Sequence, residues 1–392
     1  MSFKRVYVQP LVLVFAWLVY ALQSGEAQYL GRCLTPDQKD GTCVMVAQCP
    51  LVRQLLNKPL LTTNDVRFLE SSRCGVIDRK ALVCCQQPDS PTSTVSPTVA
   101  TPPAASGPVE NRLSVEQKRR LLPDDCGVQY TDRIIGGERT KIDEYPWAAL
   151  IQHRRRNGEL KFHCGGVLIN NRYVLTAAHC INNIPKSWTV TGVRLGEWDL
   201  ESDSDCATRY DGTICADPVQ DIAIEKILVH PNYRATLMEV KNDIAQLRLA
   251  RSAQLNDYVQ PICLPLDAEA QTKSYDDQRF VVAGWGQTEE ALQSRYKLFV
   301  GVTGVTESTC RLRYPQANID HTQVCAGGTA NKDSCRGDSG GALMYAGLRD
   351  FEPVYLLAGL VSFGKKCGIQ GYPGVYTRVN QYTDWIVDNL EP

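Results

Sequence analysis

Three short stretches hold residue types that together could activate a serine hydroxyl. Gly337-Asp338-Ser339-Gly340-Gly341 sets a serine among glycines, Thr176-Ala177-Ala178-His179-Cys180 carries a histidine, and Asn242-Asp243-Ile244-Ala245 carries a carboxylate. A serine hydroxyl is a poor nucleophile at neutral pH. It needs a base to remove its proton and a carboxylate to hold that base in one tautomer. Ser339, His179 and Asp243 are the residue types for those roles. Any one of them alone would read as a satisfied structural residue, whereas three in matched contexts point to acyl transfer.

These contexts resemble the chymotrypsin-like (trypsin family) serine proteases, and the resemblance runs from Ile134 to the C-terminus. Arg133-Ile134-Ile135-Gly136-Gly137 is similar to the family's activation site, and Cys164-Gly165-Gly166-Val167-Leu168 to the strand before the catalytic histidine. Gly284-Trp285-Gly286 and Pro373-Gly374-Val375-Tyr376 also match. The resemblance implies an all-β fold of two six-stranded β-barrels with the active site in the cleft between them. It implies His179, Asp243 and Ser339 as the catalytic residues, with the backbone N–H groups of Gly337 and Ser339 as the oxyanion donors. Asp333 would lie at the floor of the primary pocket, Gly364 and Gly374 would leave its walls open, and Ser362 would begin the segment that pairs with substrate backbone. A carboxylate at Asp333 implies cleavage after Arg and, less strongly, Lys. Cutting after Arg133 would free the α-amino group of Ile134 to meet Asp338. Three positions depart from the family pattern: Phe363 replaces a common Trp, Arg336 a common Gln, and Pro373 the Tyr of sodium-regulated relatives, so sodium activation is not expected. For Arg336, selection of substrates by charge and simple solvation both stay open.

The elements that must position these groups read as short strands. After Ile134, apolar segments rich in Val, Ile and aromatics alternate with Gly, Pro and Asn turns, as in 280–286 and 355–364. The convincing late helix is the terminal one, where Tyr382, Trp385, Ile386 and Leu390 recur at helical spacing.

Upstream, Lys4 and Arg5 precede an apolar run from Leu11 to Leu22 and small residues at Gly25 and Ala27, read as a signal peptide over 1–27. The alternative, an uncleaved anchor, is short against the roughly 20 apolar residues of a spanning helix. Sixteen cysteines behind such a leader imply disulfides made in an oxidising compartment. Cys33, Cys43, Cys49, Cys74, Cys84 and Cys85 form a first group, too close together for a large core without staples. Spacing alone does not choose their pairing. Cys33-Leu34-Thr35-Pro36, Gly41-Thr42-Cys43 and Val83-Cys84-Cys85 resemble the clip domain that precedes arthropod serine proteases, here spanning 28–85. That resemblance implies Cys33-Cys84, Cys43-Cys74 and Cys49-Cys85. In the protease, 134–392, it implies Cys164-Cys180, Cys310-Cys325 and Cys335-Cys367, with Cys126-Cys263 tethering the clip module after cleavage and Cys206-Cys215 closing a loop. The 86–133 stretch between the two is a linker and activation segment, rich in Pro, Ser and Thr over 86–108.

The run Glu197-Trp198-Asp199-Leu200-Glu201-Ser202-Asp203-Ser204-Asp205 offers hard oxygen donors and no soft ones, which suits Ca²⁺. The family's corresponding loop often binds it, so Glu197, Asp199, Ser202 and Asp205 are the candidate ligands, against a solvated acidic loop. Catalysis itself calls for no cofactor. Lys118-Arg119-Arg120 is either a second processing site or a solvated charge run, and Arg154-Arg155-Arg156 either a docking patch or a solvated loop. A net charge of −1 argues against a nucleic-acid partner. The resemblance implies a secreted zymogen of arthropod haemolymph, free of the membrane once its signal is removed. Its partners would be an upstream activating protease, serpins, and protein substrates such as prophenoloxidase, a downstream protease or a Toll ligand precursor. A non-catalytic clip-protease homologue acting as a binding cofactor is the alternative, disfavoured because all three catalytic residue types are present; a digestive trypsin is disfavoured by the clip module and linker.

Overall fold

The computed structural model describes residues 31–56, 63–77, 80–86, 113–129, 138–209, 212–236, 239–288, 291–330, 334–349, 352–365 and 367–392. The expected signal peptide, most of the linker, Arg133, Ile134 and Asp333 lie outside them. The chain divides into two compact units.

In the N-terminal unit, β1 (Arg32–Leu34), β2 (Asp40–Met45), β3 (Arg73–Ile77) and β4 (Lys80–Cys85) form an antiparallel sheet in the order β1-β2-β4-β3. Its core is only Val46, Cys49, Val52, Val83 and Cys85 with a few partly buried neighbours. So small a core cannot hold a fold alone, and disulfides Cys33–Cys84, Cys43–Cys74 and Cys49–Cys85 cross-link it. These are the pairs the resemblance implies.

The larger unit holds the two barrels. It begins with a short helix, Val115–Arg119, capped by Ser114 and Gln117, so Lys118 and Arg119 lie on a helix and not on an extended strand open to a protease. Lys118 donates to the Asp388 carbonyl of the terminal helix. Cys126, bonded to Cys263, then fixes the chain to the barrels, with Gly127 N–H donating to Pro261 O at 2.8 Å.

After β5 (Glu138–Arg139), the first barrel is built from β6 (Ala148–Arg154), β7 (Leu160–Asn170), β8 (Tyr173–Thr176), β9 (Thr189–Leu195), β12 (Gln220–Val229) and β15 (Ala245–Leu249). Two hairpins are inserted in it, β10 (Cys206–Arg209) with β11 (Gly212–Cys215), clamped by Cys206–Cys215, and β13 (Arg234–Ala235) with β14 (Val240–Lys241). The strands close in the order β12-β15-β8-β7-β6-β9. The second barrel uses β16 (Arg279–Gly284), β17 (Leu298–Val305), β18 (Gln323–Ala326), β19 (Ala342–Arg349), β20 (Glu352–Phe363) and β21 (Gly374–Arg378) in the order β16-β19-β20-β21-β18-β17. Pairing of β16 with β17 closes it, and β5 adds to the outside of β17. The terminal helix is Thr383–Asp388, with Ile386, Val387 and Leu390 buried.

Strand residues such as Val167, Leu175 and Leu247 are fully buried because a barrel strand faces core on one side and neighbouring elements on the other. One apolar cluster runs through both barrels, and at its middle Trp147 and Tyr145 pack on Tyr355 with ring centres 5.6 and 5.8 Å apart. Aromatic packing therefore fixes one barrel against the other, and any site at their junction inherits that rigidity.

Candidate active site

The register of the first barrel assembles the base and its acid. Ala245 of β15 pairs with Thr176 of β8, so Asp243, just before β15, and His179, just after β8, emerge at the same rim. Asn242 has φ +51°, a left-handed turn that asparagine tolerates and that aims Asp243 inward. Asp243 is 2% exposed and accepts from His179 twice, Oδ1 from the backbone N–H and Oδ2 from Nδ1, each at 2.8 Å. Ser362 Oγ donates to the same Oδ2 at 2.5 Å, and Thr377 Oγ1 donates to the Asp243 carbonyl at 2.8 Å. Burial pushes the Asp243 carboxyl up, but the bonds and charge of His179 and the Ser362 bond outweigh it, so it lies below its ordinary range. The carboxylate stays ionised and the ring is locked with Nδ1 as donor, leaving Nε2 to act as a base.

Ser339 comes from the other barrel, on the loop before β19. Its carbonyl accepts Gly165 N–H of β7 at 2.8 Å, which ties the loop across the junction. Gly340 has φ +77°, and a Cβ there would lie 2.2 Å from Thr176 Oγ1 and 2.6 Å from Gly165 O. Only glycine lets the loop come this close to the base's strand. Ser339 Oγ makes no hydrogen bond to His179 Nε2, a contact that often tightens only with substrate. Gly337, at φ +99°, and Ser339 keep backbone N–H groups that no described residue accepts. The Cys164–Cys180 disulfide staples the histidine's turn to β7 beside them.

Asp338 points the other way, accepting Gly286 N–H on Oδ1 and Cys335 N–H on Oδ2, each at 2.9 Å. A cavity of about 1000 Å³ joins the surroundings of Ser339 to a recess lined by Val282, Leu298 and Val300 of the second barrel. Gly364 and Gly374 face each other on its wall, a Cβ on the first reaching within 3.8 Å of the Cα of the second. A side chain on either would narrow the opening. Ser362 does not present its hydroxyl to this cavity; that group is spent on Asp243.

The acidic loop departs from expectation. Asp199 gives both oxygens to Arg295, each at 2.7 Å, and Ser202 Oγ donates to Ser204 O at 2.8 Å. Neither shares a point with the other two candidates. Glu197 and Asp205 do converge, both accepting Trp198 N–H, at 2.9 and 2.8 Å. Burial and the facing carboxylate push Glu197 up, and burial likewise raises Asp205. Of the four candidates, only Glu197 and Asp205 turn side-chain oxygens to a common point. Two buried carboxylates turned to one point fit a hard cation, although Arg194 at 3.1 Å from Glu197 and buried Lys297 already balance part of their charge. The one cluster of three potential ligands among the described residues, Cys164, His179 and Cys180, has both sulfurs in a disulfide.

Sequence reasoning missed Thr377, which nothing but its place on β21 distinguishes, and Lys241. The latter's ammonium is buried and donates to Asn318 O, Asp320 Oδ2 and Gln323 Oε1 at 2.5, 2.8 and 3.2 Å. Of the basic run on the β6–β7 turn, Arg155 pairs with Glu159 at 3.2 Å and covers Trp188, while Arg154 and Arg156 are exposed.

A buried acid behind a base, and a serine with unspent amides beside it, suit attack on a carbonyl, and two barrels that meet at such a junction define the chymotrypsin-like class of serine proteases. The family model described as Trypsin matches residues 134–386, and that of the regulatory CLIP domain of proteinases matches residues 33–85. The chain is 43% identical over 386 residues to CLIP domain-containing serine protease B4 of Anopheles gambiae, covering 97% of this chain and 98% of the relative. It is 39% identical over 402 residues to Melanization protease 1 of Drosophila melanogaster, covering 95% and 96%. The crystal structure of the Drosophila Grass clip serine protease of the Toll pathway aligns with a TM-score of 0.63 at 31% identity, over 92% of this chain and 97% of that one. The chain belongs to the trypsin family, as a trypsin-like serine endopeptidase that carries an N-terminal clip domain.

Proposed function

We propose that the protein is a secreted zymogen, activated by cleavage after Arg133, that cuts protein substrates after Arg, and less strongly Lys, in an extracellular cascade of immunity or development. The observation that carries this reading is the Ser362–Asp243–His179 hydrogen-bond chain beside Ser339 and two unspent amides. In the reaction His179 Nε2 takes the Ser339 proton as Oγ bonds to the scissile carbonyl carbon. The imidazolium, held by Asp243, then gives that proton to the leaving amine as the C–N bond breaks. Water repeats the sequence on the acyl-enzyme. The Gly337 and Ser339 amides meet the developing oxyanion, each such donor being worth roughly 2.7–4 kcal/mol of the barrier. Asp333 would bind the substrate guanidinium.

Activation follows from Asp338. In the uncut chain its carboxylate accepts the Gly286 and Cys335 amides, and the recess beside it is continuous with the cavity at Ser339. The new ammonium of Ile134 would draw Asp338 into an ion pair and fill that recess. The names of Melanization protease 1 and of the Grass protease of the Toll pathway support a cascade of melanisation or of Toll signalling. Within it an upstream protease would be the activator, prophenoloxidase, a downstream protease or a Toll ligand precursor the substrate, and serpins the inhibitors. Ca²⁺, held by Glu197 and Asp205, would stiffen the loop and take no part in the chemistry. The decisive test assays purified proenzyme on an Arg-terminated amide and with a fluorophosphonate probe, before and after a cut confirmed at Arg133-Ile134. Activity and Ser339 labelling only after the cut support the reading; an inert cut chain overturns it in favour of a non-catalytic cofactor.

A further inference from the structure

Two cations flank the mouth of the cavity that holds Ser339. Arg336 and Lys365 both line it and are exposed, and neither forms an ion pair with a described residue. The one carboxylate among the described lining residues, Asp338, is turned inward to the Gly286 and Cys335 amides. Among the described residues, the mouth therefore presents net positive charge to an approaching chain.

Lys365 is not a freely moving surface lysine. Its Nζ lies 3.9 Å from the centre of the Tyr372 ring. Its backbone N–H donates to Tyr314 Oη at 3.2 Å, and that hydroxyl donates to Pro373 O at 2.7 Å. Phe363 packs edge-on against the same Tyr314 ring at 6.1 Å. The ammonium is thus set on an aromatic wall built by three segments, which lowers the entropy cost of pairing it. Arg336 is anchored differently, its carbonyl accepting Gln287 N–H at 2.6 Å while its side chain reaches outward. Arg313 adds a third cation beside Gly371, next to Tyr372.

The position of Lys365 along a bound substrate can be read from the chain. Ser362 marks the catalytic end, because its hydroxyl is bonded to Asp243. A substrate strand pairing with 362–364 moves away from the scissile bond by about 3.3 Å per residue, so Lys365 lies about 10 Å along it. That distance brings it to the third or fourth residue before the cut.

We propose that this rim selects substrates with an acidic side chain at the third or fourth position before the scissile bond, with Lys365 as the reading group and Arg336 strengthening the field. The inference rests on cleavage after arginine as proposed above, and the experiment separates the two. Peptides with Arg before the scissile bond and either Glu or Gln at the third and fourth positions are compared on the cut enzyme. The ratio kcat/KM should be about 3–10-fold higher for the Glu member, mostly through KM, and the preference should shrink in 0.5 M salt, where the Debye length is roughly two-fold shorter than at 0.1 M. Lys365→Glu should invert the preference, and Lys365→Met should abolish most of it, with fluorophosphonate titration counting folded active sites in each. Equal rates for Glu and Gln, or a preference unchanged by Lys365→Glu together with Arg336→Glu, would overturn the proposal. If Arg peptides are not cut while peptides with another residue before the bond are, the arginine reading fails. The Glu–Gln comparison is then made on those peptides, so the rim is tested either way.

Discussion

Replacing Lys241 by methionine removes a buried cation that lies two residues before Asp243. Its side chain is 8% exposed, and it donates to three acceptors on the 318–323 segment, of which Asp320 is the charged one. Burial pushes the Asp320 carboxyl up, but the bonds from Lys241 and Thr322 outweigh it and hold it at about 2 against an ordinary 3.8. By linkage a shift of that size is worth roughly 2 kcal/mol at neutral pH, and because Asp320 keeps a third of its surface in water we take about 1–2 kcal/mol. The Asn318 carbonyl and the Gln323 amide lose a partner as well, at about 1 kcal/mol each. Lys241→Met should therefore destabilise the barrel body by about 3–4 kcal/mol, read by urea unfolding followed by tryptophan fluorescence. The sign with pH is set by a depressed carboxylate: its contribution is complete above the unfolded value of about 3.9 and is lost as pH falls through about 2. The gap between wild type and variant should narrow over that window. Asp320→Asn added to Lys241→Met should recover part of the loss, since no unpaired carboxylate then remains. A cost below about 0.5 kcal/mol, or a gap that stays constant with pH, would refute the argument.

Other consequences follow from the same geometry. Asp243→Asn should leave the protein folded but lower kcat by about 10³–10⁴-fold, because an amide presents both donor and acceptor to His179 and no longer fixes its tautomer; steady-state kinetics on titrated sites check this. Burial, with nearby positive charge, holds the His163 imidazole at about 4, so acid must charge the unfolded state first. Stability should fall as pH drops from about 6.5 towards 4, by up to about 2 kcal/mol given the ring's partial exposure, and His163→Phe should flatten that slope in thermal melts. Millimolar Ca²⁺ should raise the melting temperature by about 2–4 °C, reversibly with chelator. Glu197→Gln should abolish the rise and Asp199→Asn should leave it, whereas a rise lost in Asp199→Asn would restore the larger cage.

What could be read from residues alone is local. The glycines around Ser339 are dictated by a loop that must pass within contact distance of Thr176 and Gly165, so they travel with the nucleophile as a motif. The His179 and Asp243 contexts are likewise ends of strands paired in one register, and the strand pattern and the cysteine groups express the barrels and the small cross-linked module. These features are legible because each is enforced within a few residues by backbone geometry or covalent chemistry.

The rest depended on residues far apart in sequence whose types carry no advance signal. Asp199 looked like a calcium ligand, but Arg295 reaches it through an isolated bridge between Asp199 and Tyr296 and takes both of its oxygens. Ser362 was read only as the start of a segment that pairs with substrate backbone, and the folding of the second barrel onto the first also gives its hydroxyl to Asp243. Lys241 and Lys365 are both lysines beside the site, yet one is buried against Asp320 and the other rests exposed on Tyr372 with no ion pair among the described residues. A carboxylate, hydroxyl or ammonium serves equally well in a salt bridge, a positioning bond or a ligand contact. Sequence by itself therefore determined the chemistry available and the frame that carries it, whereas the choice among partners was made by tertiary packing, which alone sets distance and burial and hence the energy of each pairing.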